Sequence, residues 1–434
     1  MDLKEFSKRK ILVVGDIMLD KHIHGSVSRI SPEAPVPVLK AEKESYNPGG
    51  AANLANNLSA FGTTVSMAGV VGNDEAQKIL FRELENNNID SSLILKGSKP
   101  TIQKIRGLSH QHLFRIDYED HASITKEDEE NLLSLIKGKI SNFDAIVLSD
   151  YAKGTLTENL VKSLISLAKE HKKIITADCK PLNLEFYKGV DLLKPNKKEA
   201  IEMTLTDNMD EAGKILTEKL SSNVIITRGS EGCTLFEKDK KPFHVPTSQK
   251  KFYDVAGAGD TFLATFTLAL ASNFDYKKAT ELANQASSLV VLKPGVSIIT
   301  QEELEKSFSN SIKVVPKDWG QEEWIVNNEK YCGKKMLIKQ DYYCSYHMHK
   351  IKEETFYILE GELEVIHKGE HLKVKSGDTL HILPGEYHSF RALKDTTFFE
   401  FSTQHLDEDN YRLTKSGQGN SEQWKTEIET LKND

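Results

Sequence analysis

Four short apolar runs, each rich in β-branched residues, constrain the larger part of this chain: Ile11-Leu12-Val13-Val14, Ala145-Ile146-Val147-Leu148, Ile174-Ile175-Thr176-Ala177 and Val224-Ile225-Ile226-Thr227. Their brevity and uniform apolarity are those of parallel strands buried on both faces. Longer mixed segments lie between them, and residues 125–140 and 156–171 carry apolar positions at helical spacing. This alternation predicts a layered α/β domain. Residues 34–41 and 99–118 fall outside it and read as extended hairpin material.

The pattern changes near Val314-Val315-Pro316. Beyond it run Phe356-Tyr357-Ile358-Leu359 and Leu363-Glu364-Val365-Ile366, with turn signals at Glu360-Gly361-Glu362, Lys368-Gly369-Glu370 and Ser376-Gly377-Asp378. Such spacing predicts an all-β barrel or jelly roll. Residues 1–312 and 313–434 are therefore expected to be separate domains. The polar end of the chain reads as a short helix or a mobile tail.

A net charge of -7 over 434 residues argues against a nucleic-acid partner, whose binding domain is normally basic. Cys179, Cys233, Cys332 and Cys344 show no Cys-x-x-Cys spacing and read as reduced thiols. The opening Met1-Asp2-Leu3-Lys4-Glu5 lacks the apolar core of a signal peptide. No stretch reaches the roughly 18 apolar residues of a membrane span. The expectation is a cytoplasmic protein with no membrane partner.

The most informative segment is Asp254-Val255-Ala256-Gly257-Ala258-Gly259-Asp260-Thr261-Phe262, which opens an apolar helical stretch. Glycines allow a tight turn and close approach to a ligand. Free N–H groups at a helix N-terminus attract an anion such as a phosphoryl group in transfer. Asp260 at the same point can accept the proton of an attacking hydroxyl. Alone, the segment is equally a glycine-rich helix cap.

It is not alone. Gly257-Ala258-Gly259-Asp260 resembles the anion hole and base of the ribokinase (PfkB-type) sugar kinases. Asn47-Pro48-Gly49-Gly50-Ala51-Ala52-Asn53 resembles their glycine-pair signature, and Val13-Val14-Gly15-Asp16-Ile17-Met18-Leu19-Asp20 their opening strand and turn. The resemblance implies a ribokinase-like α/β fold with a β lid and an ATP-dependent reaction. Gly49, Gly50 and Asn53 are then expected to meet the sugar, with Asp16 and Asp20 holding its hydroxyls at the C-terminal end of a strand. Asn196 and Glu199 of Lys194-Pro195-Asn196-Lys197-Lys198-Glu199 match the family's N-x-x-E motif. They imply Mg²⁺ held mainly through water. Thr227, Gly229 and Gly232 match the segment beside the ATP phosphates, although Arg228 departs from the family. Asn284 and the Lys293-Pro294-Gly295 turn are expected to border the adenine. No Gly-x-x-x-x-Gly-Lys-Ser/Thr is present, which disfavours a P-loop kinase.

Within that superfamily, Arg29-Ile30-Ser31-Pro32-Glu33-Ala34-Pro35-Val36-Pro37-Val38, the segment around Lys104-Ile105-Arg106, and Leu148-Ser149-Asp150-Tyr151-Ala152-Lys153-Gly154 resemble the kinases that make heptose 1,7-bisphosphate. The resemblance implies a sugar-phosphate substrate, with Asp150 at the sugar. Lys104, Arg106, Arg115 and Lys180 are candidate cations for its phosphate, which a guanidinium grips bidentately. Asp178-Cys179-Lys180-Pro181 departs from the usual Asp-Pro-Lys-Gly. Lid strands form a dimer clasp in relatives, which implies a homodimer.

In the second part, His347-Met348-His349, then Glu354, then Gly361 follow the H-x-H-x4-E-x6-G pattern of a cupin. Histidines two apart on a strand point to one face. The stretch from Gly377 to His388 resembles the second cupin motif, although the first lacks a glycine where Asp341 stands. Three histidines and a carboxylate suit Zn, Fe, Mn or Ni. Glu354 is preferred to Glu353 by spacing, and His381 is not expected to be a ligand. The flanks Trp319–Trp324 and Phe401–Asp409 resemble cupins of sugar-isomerase type. The barrel is thus either a sugar(-phosphate) isomerase or epimerase, or a non-catalytic sugar-binding module beside a kinase for another sugar. Heptose kinases are often fused to a nucleotidylyltransferase, but no His-x-Gly-His motif follows residue 312.

Overall fold

A computed structural model describes residues 3–109, 111–247, 257–293, 295, 297–309 and 312–430. It divides into two compact units, Met1–Ser309 and Asn310–Asp434.

The first unit is built on a nine-stranded sheet in the order Phe243–Val245, Cys233–Phe236, Asn223–Thr227, Leu192–Leu193, Ile174–Asp178, Ala145–Ser149, Lys10–Gly15, Thr64–Val71, Ile89–Lys96. The two strands at the first edge pair antiparallel. The rest pair parallel. All four apolar runs are strands of this sheet. Successive side chains on a strand face opposite sides, and the core divides accordingly. Ile11, Val13, Ala145 and Val147 pack on one face with the helices Ala51–Ser59, Ala258–Ala271 and Tyr276–Val290. Leu12, Val14, Ile146 and Leu148 pack on the other, with Lys126–Lys139, Glu158–Glu170 and Met209–Leu220. That two-sided burial is why the runs carry no polar alternation.

The strand Ile17–Ile30 begins buried and ends in solvent. It leaves the core to form a second sheet in the order Pro37–Gly50, Ile17–Ile30, Ile102–Leu108, His112–Tyr118. This is the lid that the resemblance implies, drawn from the extended segments at residues 34–41 and 99–118.

The second unit is all β apart from short helical pieces. One sheet runs Lys313–Lys317, Gly320–Asn327, Cys332–Ile338, Thr396–Ser402, Glu354–Glu360, Thr379–Ile382. The other runs Glu370–Lys375, Glu362–His367, His388–Ala392, Tyr342–Tyr343, Gly417–Gln418, with His347–Met348 bridging His388–Ala392 to Tyr411–Arg412. Phe356, Phe390 and Phe398 meet edge to face in the core, with centroids 5.1–5.9 Å apart. Gly361 turns the chain from one sheet to the other at φ +94°, where an added Cβ would lie 2.3 Å from Thr396 Oγ1.

The mobile-tail alternative does not survive. Ser421–Thr430 is a helix with Trp424 and Ile428 buried against Tyr346 and Ile366, and Trp424 Nε1 donates to Ser389 Oγ at 3.1 Å. All three tryptophans of the chain, Trp319, Trp324 and Trp424, belong to the second unit. Replacing Ile428 by Ala should therefore destabilise that unit by about 2–5 kcal/mol. Tryptophan emission during urea unfolding should show an earlier midpoint, and an unchanged midpoint would refute this docking.

Candidate active site and metal centre

The helix Ala258–Ala271 is buried from Thr261 to Ala271, so its position is fixed by packing on every side. Its N-cap, Gly257, adopts φ +81° and offers no side-chain cap. The first N–H groups of the helix are thus directed at a cavity of about 690 Å³ lined by Gly257, Ala258, Gly259 and Asp260. Asp254, Val255 and Ala256 lie outside the described residues. Asp260 accepts from Asn53 Nδ2 at 2.6 Å and from the Tyr151 hydroxyl at 3.1 Å. Burial pushes its carboxyl up to about 6, against the hydrogen bond from Asn53.

Lys194 was not singled out from the sequence. Its ammonium is buried, 2.8 Å from Asp178 Oδ2. A Cβ on Gly259 would lie 3.3 Å from its Nζ. A cation therefore stands against the glycine turn, and Gly259 leaves room for it. The sequence signal was there: a lysine two residues before Asn196, at the end of a buried strand. Tyr151 was also missed as a partner of Asp260.

The other expected residues fall into two groups. Asp150, Lys180, Asn196, Glu199, Thr227, Gly229, Gly232 and Asn284 line the same cavity as Asp260. Asn196 and Glu199 form a reciprocal capping box, and Glu199 Oε1 also takes the Lys180 ammonium at 2.6 Å. Both Glu199 oxygens are engaged, which suits a cation met through water rather than directly. Lys180 accordingly sits at Glu199 and not with the lid cations. Asn284 donates to the Pro246 carbonyl at 3.1 Å. Gly232 is held by backbone, since a Cβ would meet Val245 O at 2.0 Å. Pro294 of the expected adenine turn lies outside the described residues.

Asp16, Asp20, Gly49, Gly50, Asn53, Lys104 and Arg106 gather at the root of the lid. Asp16 departs from expectation. It is fully buried, and its carboxylate accepts the N–H groups of Tyr151, Lys153 and Thr155 at 2.9–3.0 Å. Contact with sugar hydroxyls is not available to it here; it anchors the loop that carries Tyr151. Asp150 is likewise held by Ala152 N, Asn183 Nδ2 and the Tyr187 hydroxyl at 2.7–2.8 Å. Asp20 pairs with Arg106 at 2.8 Å, and a Cβ on Gly49 would lie 2.9 Å from Asp20 Oδ2. Strand register sets His22 beside Arg106 and Arg106 beside Arg115, with Asp20 beside Lys104 in the next row. Lys104 thus lies between Asp20 and Asp117 in the ladder, although among the described residues no close ion pair holds it.

In the second unit, His347, His349 and His388 bring ring nitrogens within 4.8 Å of one another. Nδ1 of each ring lies against a backbone carbonyl, of Ser345, Asp409 and Glu386 respectively. A carbonyl accepts only from a protonated Nδ1, so Nε2 is left as the ligand atom. Burial holds His347 and His349 below the usual histidine range, as neutral imidazoles. Glu354 faces inward, with Oε2 3.2 Å from His388 Nε2. Neither atom has a hydrogen-bond partner, and two buried acceptors face to face fit a shared cation. Burial opposes ionisation of Glu354, but the Lys352 ammonium together with the His388 and His349 rings outweighs it and holds the carboxyl well below its ordinary range. Glu353 is exposed and faces His381 at 3.3 Å, which settles the register in favour of Glu354.

Residues 8–303 match the pfkB family carbohydrate kinase profile, and residues 336–400 match a cupin domain. This chain belongs to the pfkB family of carbohydrate kinases. The pfkB-type unit is similar to the "Bifunctional protein HldE" of Haemophilus ducreyi (strain 35000HP / ATCC 700724), 39% identical over 309 residues, and to that of Rhodopseudomonas palustris (strain HaA2), 36% identical over 314. Each match covers 70% of this chain and only 64% of the relative, so the chain spans less than two thirds of these proteins. The fold of the pfkB-type unit is that of Arabidopsis thaliana ribokinase complexed with ribose and ATP (TM-score 0.55, 19% identity, 69% of this chain and 98% of that one). It is also that of Escherichia coli phosphofructokinase-2 in complex with substrates and products (0.58, 18%, 69% and 98%). Among the described residues no helix is long and apolar enough to cross a membrane.

The histidine cluster should retain a stoichiometric transition metal through purification, and His347→Ala with His349→Ala should abolish it. Elemental analysis finding equal metal in both proteins would refute the site.

Proposed function

We propose that the pfkB-type unit transfers the γ-phosphoryl group of ATP to O1 of a heptose 7-phosphate, giving ADP and heptose 1,7-bisphosphate. The observation that carries this is Asp260: a half-buried carboxylate at the uncapped start of a buried helix, beside an ammonium and at the edge of a large cavity. In this reading Asp260 takes the hydroxyl proton as the phosphoryl group arrives. The N–H groups of residues 257–260 and the Lys194 ammonium stabilise charge on the migrating group. Asn53, Gly49, Gly50 and Asp20 hold the sugar, with Asp150 shaping the opposite wall. Asn196 and Glu199 would hold Mg²⁺ through water, where it would supply charge neutralisation for the phosphates. Thr227, Gly229, Gly232 and Asn284 border the nucleotide.

The lid cations Lys104, Arg106 and Arg115 support a phosphorylated sugar over a neutral one. Arg106 and Arg115 stand side by side, paired with Asp20 and Asp117, and among the described residues no ion pair holds Lys104, which lies between the same two aspartates in the ladder. The heptose assignment rests on the likeness of residues 29–38 and 148–154 to heptose kinases. The exposed Ile30, Val36 and Ile116 on the lid support a homodimer clasped through these strands, in a cytoplasmic protein.

For the barrel we propose a metal-dependent sugar-phosphate isomerase or epimerase that supplies or removes the kinase substrate. A divalent transition metal held by His347, His349, Glu354 and His388 supplies a Lewis acid for a sugar carbonyl. Lys352 keeps Glu354 ionised for that purpose, and Glu400 in turn holds Lys352.

Asp260→Asn should lower kcat by about 10²–10⁴-fold while sugar binding persists. Because the base must be ionised, wild-type kcat/KM should fall tenfold per pH unit below about 6. ADP release assayed on phosphorylated C5–C7 sugars decides the matter; normal turnover in Asp260→Asn would end the base assignment. Ile30→Asp with Ile116→Asp should convert dimers to monomers in sedimentation analysis, and a wild-type monomer would dismiss the clasp.

A further inference from the structure

The barrel encloses a cavity of about 390 Å³ with the histidine cluster in its wall, a size within the range of small-molecule sites. Besides the histidines, its lining contains five carboxylate and lysine side chains that are almost fully buried: Glu322, Lys334, Lys352, Glu354 and Glu400 are each 2–6% exposed. They alternate in charge. Lys352 joins Glu354 to Glu400. Lys334 stands 3.7 Å from Glu400 and 3.8 Å from Glu322. Lys334 is further held by His405 Nδ1 at 3.1 Å and lies over the Trp324 ring.

Folding does not call for such a row. Well-packed apolar side chains in place of buried ion pairs are often neutral or stabilising. A row of alternating acceptors and donors does match the hydroxyls of a polyol, each of which donates to a carboxylate and accepts from an ammonium. Arg412 adds the second observation. It lines the same cavity, and its Cα lies directly across the strand ladder from His347, so the two side chains share a face. Its Nε donates to Asn410 Oδ1 at 3.3 Å, and among the described residues no carboxylate pairs with it. Every lysine of the row, by contrast, has its carboxylates.

We infer that this cavity binds a sugar phosphate: hydroxyls of the ligand meet the Lys334–Glu400–Lys352 row beside the histidine cluster, and its phosphate is taken by Arg412. Phosphate rather than carboxylate is the anion because the other unit of the same chain is a carbohydrate kinase. The inference deepens the proposal that the barrel is a metal-holding sugar-phosphate site and rests on it.

Tryptophan emission offers a selective test, because the pfkB-type unit contains no tryptophan while Trp319 lines this cavity. Full-length protein loaded with Zn²⁺ is titrated with fructose 6-phosphate, ribulose 5-phosphate and sedoheptulose 7-phosphate. Fructose and gluconate serve as the neutral and carboxylate comparisons. At least one sugar phosphate should give a saturable change, at an affinity at least about tenfold above both comparisons. Arg412→Ala should erase that advantage, Arg412→Lys should restore part of it, and ATP turnover should be unchanged in both. Equal binding of fructose, tighter binding of gluconate, no response to any sugar phosphate, or indifference to Arg412→Ala would each overturn the inference. Zinc analysis of the same samples separates the two layers. Zinc retained without phosphate selectivity removes the Arg412 site alone. Arg412-dependent binding without retained zinc removes the metal and leaves the anion site standing.

Discussion

A half-buried carboxylate at the open end of a buried helix is the constraint around which the first unit is arranged. Burial disfavours the charge on Asp260. The surroundings offset this with the Asn53 amide, the Tyr151 hydroxyl and the Lys194 ammonium, which belong to segments far apart in sequence. The helix can hold its end so firmly because it is buried on every side. A helix with one polar face would lie at the surface, and its first turn would face bulk water rather than a cavity.

The carboxylates at the ends of the neighbouring strands do different work. Asp16 gathers three backbone N–H groups, a pattern that fixes a loop with no side-chain partner. That loop delivers Tyr151 to Asp260. Asp150 ties the same loop to Asn183 and Tyr187. The two acids that most resemble substrate ligands in the sequence are thus joints of the scaffold, and the acid at the lid root, Asp20, is the more open one.

The second unit adds another route. Asp409 again gathers backbone N–H groups, those of Lys350, Ile351 and Lys352, but the strand carboxylates Glu354 and Glu400 meet Lys352, because strands have already committed their N–H groups to neighbouring strands. Lys352 is the centre of this arrangement: burial opposes its charge, but Glu400 and Glu354 hold the ammonium above its usual range. The consequence is an ionised Glu354 beside three imidazoles whose free nitrogens converge.

Periodicity and motif spacing alone established the two architectures, the strands beginning at Ile11, Ala145, Ile174 and Val224, the lid segments, and the histidines of the barrel. These are local properties: burial on both faces removes polar alternation, and two-residue spacing sends His347 and His349 to one side. Spacing also favoured Glu354 over Glu353, and in the structure Glu354 is the one buried against His388 while Glu353 is exposed. The end helix was open in the sequence, because only Trp424 and Ile428 among polar neighbours marked it; their burial against Tyr346 and Ile366 decided it. Tertiary structure alone revealed that Asp16 serves the backbone, that Lys180 belongs with Glu199, and that Lys194 stands against the glycine turn. Which partner a charged side chain takes is a matter of distance between segments remote in sequence, and that distance is set by how the sheets and helices pack.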